Sequence, residues 1–176
     1  YFHYLTRWMH ALDQLARRLG EPHLNVWARE LAVAAHRGFV RADHSGRLEM
    51  AWKMSIDLTR PLVPSMGQHD PIDGRVTCLA LRATAESLPG AAPEPSLERV
   101  AADFAAMAAR RSIVTPDPLG IGGLLIDASR VAQLIEQGTL VDDALFLFLL
   151  DGACRSLVEL ERTKELDQPA GRRLAF

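Results

Sequence analysis

The chain has 176 residues, of which 48% are hydrophobic and 24% are charged, and its formal net charge is -2 at pH 7. These values are ordinary for one globular domain with a sizeable core. The sequence has no basic stripe, which argues against nucleic-acid binding, and no cationic amphipathic segment that would favour a membrane surface. Cys78 and Cys154 lie far apart and are predicted to be reduced core thiols, so we expect a cytoplasmic protein.

Hydrophobic periodicity predicts six helices along the chain. Their expected bounds are about 1–19, 23–40, 70–88, 96–111, 121–137 and 139–165. Asp70 is expected to cap the third helix ahead of Pro71, and Thr139 with Asp142 resembles a capping box for the sixth. Trp27 in the second helix and Leu125 in the fifth are predicted to face the core. The first helix is expected to bury an apolar stripe formed by Leu5, Trp8, Met9, Leu12, Leu15 and Leu19.

The connectors between these helices alternate in length, and this alternation predicts the architecture. Residues 41–70 and 112–120 form the longer connectors, whereas the others are short. The patch Met50–Leu58 alternates and is compatible with a local hairpin, but no sheet is expected. Helices joined by short loops run antiparallel. The sequence therefore predicts an all-α fold of antiparallel helical hairpins over residues 1–166, followed by a tail at 167–176.

This connectivity brings the longer connectors and the start of the first helix to one end of the stack. That end receives most of the aromatic and titratable residues of the connectors, whereas the short turns hold mainly Gly, Pro, Ala and Glu. Long loops on a rigid scaffold are where binding sites usually lie. The first, third and fifth helices also begin there, and their dipoles favour anionic groups. The sequence therefore predicts a functional site at this end.

The sharpest local cluster is the run from His69 to Asp73. His69, Asp70 and Asp73 are candidate acid/base groups, because proton transfer needs titratable side chains close together. The alternative is that Asp70 only caps the helix and that Asp73 only complements its dipole. Asp57, in the long connector, is a further candidate carboxylate.

Aromatic, basic and histidine side chains supply the candidate ligand contacts. Trp52 could stack on a sugar or another flat ligand. In the alternative, Trp52 pins the connector to the core, and Lys53 forms a weak surface ion pair with Asp57. Arg60 and Asp117 lie beside prolines, where turn roles are common. The full set of predicted substrate-binding residues is His3, Tyr4, His10, Trp52, Lys53, Arg60 and Asp117.

No motif in the sequence predicts a cofactor or a metal centre. No nucleophile elbow of the Gly-x-Ser-x-Gly type is present. Gly120, Gly122 and Gly123 lack the preceding strand and the following Lys-Ser/Thr of a phosphate loop, and close helix packing explains them better. A metal site from the histidines has no fixed ligand spacing, so neither a metal nor a cofactor is expected.

The alternating connectors, with aromatics and carboxylates at one end, resemble the α/α toroids of the six-hairpin glycosidase superfamily. The segments Tyr1–His10 and Ser65–Pro71 look like entries into the inner helices of such a ring. The resemblance implies that the first, third and fifth helices are inner ones and that the active site lies at the mouth formed by the loops leading into them. A complete ring has more helices than six, so we expect a partial ring, completed by a second copy of the chain or by a missing N-terminal half.

Two functions of different classes follow from these observations. The resemblance implies a carbohydrate-active enzyme acting on a small-molecule or oligosaccharide substrate. Members of the superfamily include glycoside hydrolases with an Asp/Glu acid and base, and N-acylglucosamine 2-epimerase-like enzymes that use histidines. The alternative is a non-catalytic helical module whose uncovered apolar faces bind a protein or peptide.

Overall fold

The protein is mostly helical, and a computed structural model describes residues 1–65, 67–141 and 143–169. This confirms the helical class that the periodicity predicts. Among these described residues, none of the helices has both the length and the apolar character needed to cross a bilayer. The elements in chain order are α1 (Phe2–Leu19), α2 (Pro22–Phe39), β1 (Val40–Ala42), β2 (Leu48–Met50), β3 (Lys53–Met54), β4 (Pro61–Val63), α3 (Asp70–Ser87), α4 (Glu98–Ala108), α5 (Pro118–Glu136) and α6 (Asp143–Thr163).

The chain divides into two compact units, Tyr1–Arg111 and Ser112–Phe176. The first unit holds α1 to α4 and all the strands, and the second holds α5 and α6. The single domain expected over residues 1–166 stays a prediction, as does the separate tail, because most of residues 167–176 lie outside the described part of the chain.

The core of the first unit lies where two helical hairpins meet. Helix α1 packs along α2, helix α3 packs along α4, and α1 and α2 both contact α3. Gly20 allows the sharp turn after α1, because its φ of 69° suits a residue without a Cβ. The ring of Phe2 lies 5.5 Å from the ring of Phe39 and 5.4 Å from that of Phe104, which ties the start of α1 to α2 and α4.

The predicted buried stripe of α1 is only partly correct. Met9 is buried, but the side chains of Trp8, Leu15 and Leu19 are 65%, 46% and 64% exposed. The face that α1 turns inward is instead formed by Phe2, Thr6, Met9, Asp13 and Ala16. Two of these residues, Thr6 and Asp13, are polar, and they form hydrogen bonds with side chains of neighbouring helices. A search for apolar periodicity alone misses such a face.

Three further burial predictions are also wrong. Trp27 of α2 is 53% exposed and Leu125 of α5 is 42% exposed, although both were expected to face the core. Cys78 is a buried free thiol, as expected, whereas the free thiol of Cys154 is exposed. Helix periodicity places a large apolar residue on a face, but burial also requires a neighbouring element to cover that face.

Two short antiparallel hairpins occupy the connector between α2 and α3, where no sheet was predicted. Strand β1 pairs with β2, and β3 pairs with β4. Met50 pairs with Val40, and Lys53 pairs with Val63. Residues of the patch Met50–Leu58 therefore belong to two different hairpins, and the patch does not form a hairpin of its own. The strands are too short for periodicity to reveal them.

The predicted helix starts need two corrections. His69, rather than Asp70, is the residue before α3, and its backbone carbonyl accepts hydrogen bonds from the amides of Ile72 and Asp73. Helix α6 begins at Asp143, and the hydroxyl of Thr139 donates to the carbonyl of Leu134 instead of capping α6. Its expected capping-box partner, Asp142, lies outside the described residues.

A buried polar network holds the first unit together at the end of α3. Asn25 of α2 donates to the carboxylate of Asp13 on α1 and to the carbonyl of Leu81 on α3, both over 3.0 Å. Arg29, which is 2% exposed, donates to the side-chain oxygen of Asn25. The same guanidinium donates to the carbonyls of residues 92, 93 and 95 in the connector between α3 and α4. Arg29 thus fixes a loop that has no regular structure of its own.

In the second unit, α6 lies very close to the segment before α5. A Cβ added at Gly152 would lie 2.2 Å from Cδ1 of Ile113, and Ile113 is 4% exposed. The hydroxyl of Ser156 donates to the carbonyl of Gly152 and accepts from the amide of Thr115, which fixes that segment along α6.

We therefore expect Gly152→Ala to destabilise the second unit by about 1–2 kcal/mol, because Ile113 has to move to make room for the new methyl group. The measurement is urea unfolding followed by circular dichroism. The matched control is Gly122→Ala on α5, where an added Cβ meets nothing within 4 Å. A loss of stability in the control as large as that in Gly152→Ala would contradict the prediction.

Candidate functional site

Aromatic side chains from α1 and from the β3 segment meet at the start of α1. The ring of Tyr1 lies 5.2 Å from that of Trp52, 5.7 Å from that of His3 and 5.8 Å from that of Tyr4. The ammonium group of Lys53 lies 4.9 Å from the centre of the Tyr1 ring, a cation–π contact. Trp52 is 40% exposed, and its amide donates to the carbonyls of residues 63 and 65. The backbone of Trp52 therefore anchors the connector while part of its ring stays open to a ligand.

Two carboxylates from the first turn of α3 lie beside this aromatic group. Asp70 and Asp73 are 8% and 7% exposed, and they lie on one face of the helix because they are three residues apart. The hydroxyl of Thr6 on α1 lies 2.5 Å from Oδ2 of Asp73. Oδ2 of Asp70 is buried and has no hydrogen-bond partner among the described residues. No side-chain hydrogen bond caps the start of α3, so Asp70 is not the helix cap that the alternative interpretation of Asp70 and Asp73 assumed.

Gly67 joins the aromatic and the acidic sides of the site. A Cβ added at Gly67 would lie 2.3 Å from Oδ2 of Asp70 and 3.0 Å from Cδ1 of Trp52. The backbone of Gly67 therefore lies close against the side chains of both Asp70 and Trp52, and there is no room for a Cβ at this position. We call the whole group the carboxylate–aromatic cluster, and it consists of Tyr1, His3, Tyr4, Thr6, Trp52, Lys53, Gly67, Asp70 and Asp73.

The electrostatics of the cluster favour a proton-exchanging carboxyl group. Burial raises the pKa of Asp70 to about 7, and the neighbouring charge of Asp73 adds to the increase. Burial lowers the pKa of His3, and the carboxylate of Asp73 opposes that shift. Near neutral pH the cluster therefore combines a carboxyl that gains and loses a proton with a histidine that tends to be neutral.

The two other candidate histidines are less directly placed. His69 is the residue before α3, half-buried, and its backbone carbonyl serves the helix start. His10 lies two turns along α1 from His3 and is also half-buried. Each takes part in further interactions, and their predicted catalytic and binding roles stay predictions.

Asp57 and Arg60 form the turn between β3 and β4. Oδ1 of Asp57 accepts hydrogen bonds from the hydroxyls of Ser55 and Thr59 and from the amide of Thr59. The hydroxyl of Ser55 lowers the pKa of Asp57 most, and the bonds from Thr59 lower it further. The amide of Ser55 donates to the carbonyl of Arg60, which closes the turn. These contacts suit an ionised turn residue, so the structure offers no reason to add Asp57 or Arg60 to the cluster.

Asp117 belongs to the second unit, where it caps α5. Its carboxylate accepts hydrogen bonds from the amides of Leu119 and Gly120. The side chain thus stabilises the helix N-terminus, which is the turn role that its neighbouring prolines suggest. Its predicted place in a substrate site stays a prediction.

Three members of the cluster were not among the predicted site residues: Tyr1, Thr6 and Gly67. Thr6 is fully buried, and it falls on the same helical face as Phe2 and Met9. A polar residue at an inward helical position is the signal that could have revealed it, because buried hydroxyls need partners. Gly67 gives no comparable signal, since its role depends on a backbone approach that only coordinates reveal.

Two cavities of the first unit lie away from the cluster. The larger, of about 370 Å³, lies against the connector between α3 and α4 and is lined by Arg82, Glu86 and Glu98, among others. The smaller, of about 130 Å³, is lined by residues that include Arg47, Arg110 and Arg111. In the part of the chain that the structure describes, no group of three or more His, Cys, Asp or Glu residues could hold a metal ion.

Comparisons with known proteins do not identify a relative. No family model, no curated protein and no solved structure matches the chain. The class of protein is therefore defined by the fold and by the cluster alone: a mostly helical protein with two buried carboxyl groups beside an aromatic group.

Proposed function

We propose that this chain belongs to a carbohydrate-active enzyme of the six-hairpin glycosidase type, with acid/base chemistry at the carboxylate–aromatic cluster. The observation that carries the proposal is the buried Asp70 carboxyl beside Asp73, with partly exposed aromatic rings next to it. Sugar hydrolases need two carboxyl groups with different protonation, and sugars stack on aromatic rings. The substrate would be a sugar or an oligosaccharide, and we propose the cytoplasm as its location.

The proposed chemistry assigns a separate role to each part of the cluster. Asp70 would donate a proton to the oxygen that leaves, because its pKa of about 7 lets it hold that proton near neutral pH. Asp73 would stabilise the positive charge that develops on the sugar, and a water molecule would then add to the sugar carbon and return a proton to Asp70. Trp52 and Tyr4 would stack on the ring, and Lys53 would contact polar substituents. If the reaction is an epimerisation instead, His3 would exchange a proton next to a carbonyl group.

The packing of the helices supports the ring architecture that we propose. Helix α1 packs along its hairpin partner α2, and α1 and α3 also contact each other, as neighbouring inner helices of a toroid do. In that arrangement the cluster lies at the start of two inner helices. Either a second copy of the chain or further hairpins would complete the ring.

The experiment is a panel of monosaccharides, glycosides and oligosaccharides, tested with the full-length protein for turnover and for quenching of tryptophan fluorescence. We expect at least one sugar to bind. Trp52→Ala should then weaken its affinity about fivefold, because a stacked ring contributes about 1 kcal/mol. The matched control is Trp27→Ala, since Trp27 is also about half exposed but lies on α2 outside the cluster. If the protein neither turns over nor binds any sugar of the panel, the proposal is wrong.

A second candidate function is a non-catalytic module that binds a protein or peptide. The outward face of α1 favours it, because Tyr4, Trp8 and Leu19 are each at least 60% exposed and lie on one side of the helix. Such a face suits an amphipathic partner helix. Tight binding of a partner, unaffected by His69→Ala and Asp70→Asn, would favour this function over the enzyme.

A further inference from the structure

We propose that Thr6 is the positioning residue of the cluster: its hydroxyl holds Asp73 as the ionised carboxylate and thereby leaves the exchangeable proton on Asp70. Its importance for catalysis rests on the proposed function, but the placement of the proton can be tested without any substrate.

The hydroxyl group of Thr6 can donate to only one acceptor at a time. A threonine hydroxyl has one hydrogen to donate. Two acceptors lie within reach, the carbonyl oxygen of His3 at 2.8 Å and Oδ2 of Asp73 at 2.5 Å. A carboxylate accepts a stronger, charge-assisted hydrogen bond than a backbone carbonyl does. The hydrogen therefore points to Asp73, and the contact with His3 follows from the usual position of a helical threonine above the preceding turn.

The two carboxyl groups differ in their hydrogen-bond partners. Both lie in the first turn of α3, so the helix dipole favours an anion at either position and does not distinguish them. Asp73 has the hydroxyl of Thr6, whereas Oδ2 of Asp70 is buried without a partner among the described residues. Two neighbouring buried carboxylates repel each other, so the proton goes to the one whose charge is less well stabilised. That carboxyl is Asp70.

The other charged groups around the pair do not reverse this order. His3 faces Asp73 from the side of α1. Cys78 faces Asp73 from α3, and burial raises the pKa of that thiol to about 12, so it is neutral. Burial and the charge of Asp73 both raise the pKa of Asp70. Phe104 of α4, which packs against Gly74 of α3, is apolar.

The test follows the side-chain carboxyl signals of both aspartates by NMR from pH 4 to pH 9 in three proteins. In the unaltered chain we expect the signal of Asp70 to titrate near pH 7. Thr6→Ser keeps the hydroxyl and should leave both midpoints in place. Thr6→Val keeps the shape but removes the donor, so Asp73 should take up part of the proton and the midpoint of Asp70 should fall by about one pH unit.

Two results would overturn the proposal. One is a Thr6→Val protein in which both midpoints stay where they are in the unaltered chain. The other is an unaltered chain in which Asp73 holds the proton at pH 6 while Asp70 is ionised, and this measurement needs no variant to fold. If a sugar is turned over, Thr6→Val should lower kcat with little change in KM, and Thr6→Ser should restore it. A negative sugar panel with the expected titrations would reject the enzyme but keep the role of Thr6.

Discussion

Asp70→Asn is expected to unfold at a higher urea concentration than the unaltered chain at pH 8, and at about the same concentration at pH 4. The folded protein raises the pKa of Asp70 to about 7, mainly by burial, whereas an unfolded aspartate titrates near 3.8. Between these values the folded state binds the proton more tightly than the unfolded state does. The free energy of unfolding therefore falls as the pH rises from about 4 to about 7.

The size of this effect follows from the pKa difference. One unit corresponds to about 1.4 kcal/mol, so the cost of ionising Asp70 in the folded state is on the order of 4 kcal/mol above pH 7. Asparagine has nearly the same shape and no charge, so the variant avoids that cost. The measurement is urea unfolding at pH 4, 6 and 8, with Asp57→Asn as control, because Asp57 is exposed and its pKa is lowered. An Asp70→Asn protein that is no more stable than the unaltered chain at pH 8 would contradict the prediction.

The same substitution should abolish most of the activity if the proposed function is correct. A positioned general acid contributes about 10²- to 10⁴-fold to the rate, and asparagine has no proton to give. A variant that is more stable and less active at pH 8 is the expected result for a carboxyl kept in a costly environment for catalysis. A gain in stability without any activity to lose would leave Asp70 as a buried, strained carboxyl in a binding module.

The helices could be predicted from the sequence because apolar periodicity and Gly/Pro boundaries are local signals. Helix α1 ends at Leu19, directly before Gly20, and α3 begins at Asp70, directly before Pro71, within a residue of the expected positions. The meeting of Trp52 with the start of α1 also follows from connectivity, since a short turn before α2 returns the chain to that end. These inferences need only the order of the elements and the lengths of their connectors.

What the sequence did not reveal depends on which faces are covered. Trp8 and Met9 are neighbours with similar hydrophobicity, yet one is 65% exposed and the other is 2% exposed. Thr6 and Asp13 look like surface residues in a helix and are fully buried, because their partners are in segments distant in the chain. Burial of polar residues is decided by tertiary contacts, and a single sequence carries no record of those contacts.

Arg29 is the clearest case of such a buried polar residue, and its replacement should have a large effect on stability. The guanidinium is 2% exposed and donates to the side chain of Asn25 and to three backbone carbonyls, at distances of 2.6 to 3.1 Å. Burial lowers the pKa of Arg29, which indicates how costly its charge is in this position. The carbonyls offset that cost, and the connector between α3 and α4 depends on the guanidinium for its conformation.

Arg29→Met is therefore expected to lower the free energy of unfolding by about 3–5 kcal/mol, because it leaves several buried acceptors without donors. Methionine retains most of the stem, so the change tests the guanidinium rather than the packing. The measurement is urea unfolding at pH 7. The matched control is Arg37→Met, an exposed arginine two turns further along α2, which should change stability by at most about 0.5 kcal/mol.

A third variant separates charge from geometry. Arg29→Lys keeps the positive charge but presents a single ammonium group, which cannot reach acceptors spread over Asn25 and residues 92–95. We expect it to lose more than half of the stability that Arg29→Met loses. If lysine restored the stability of the unaltered chain, the carbonyls would need only a nearby charge, and the assigned role of the guanidinium fork would be wrong.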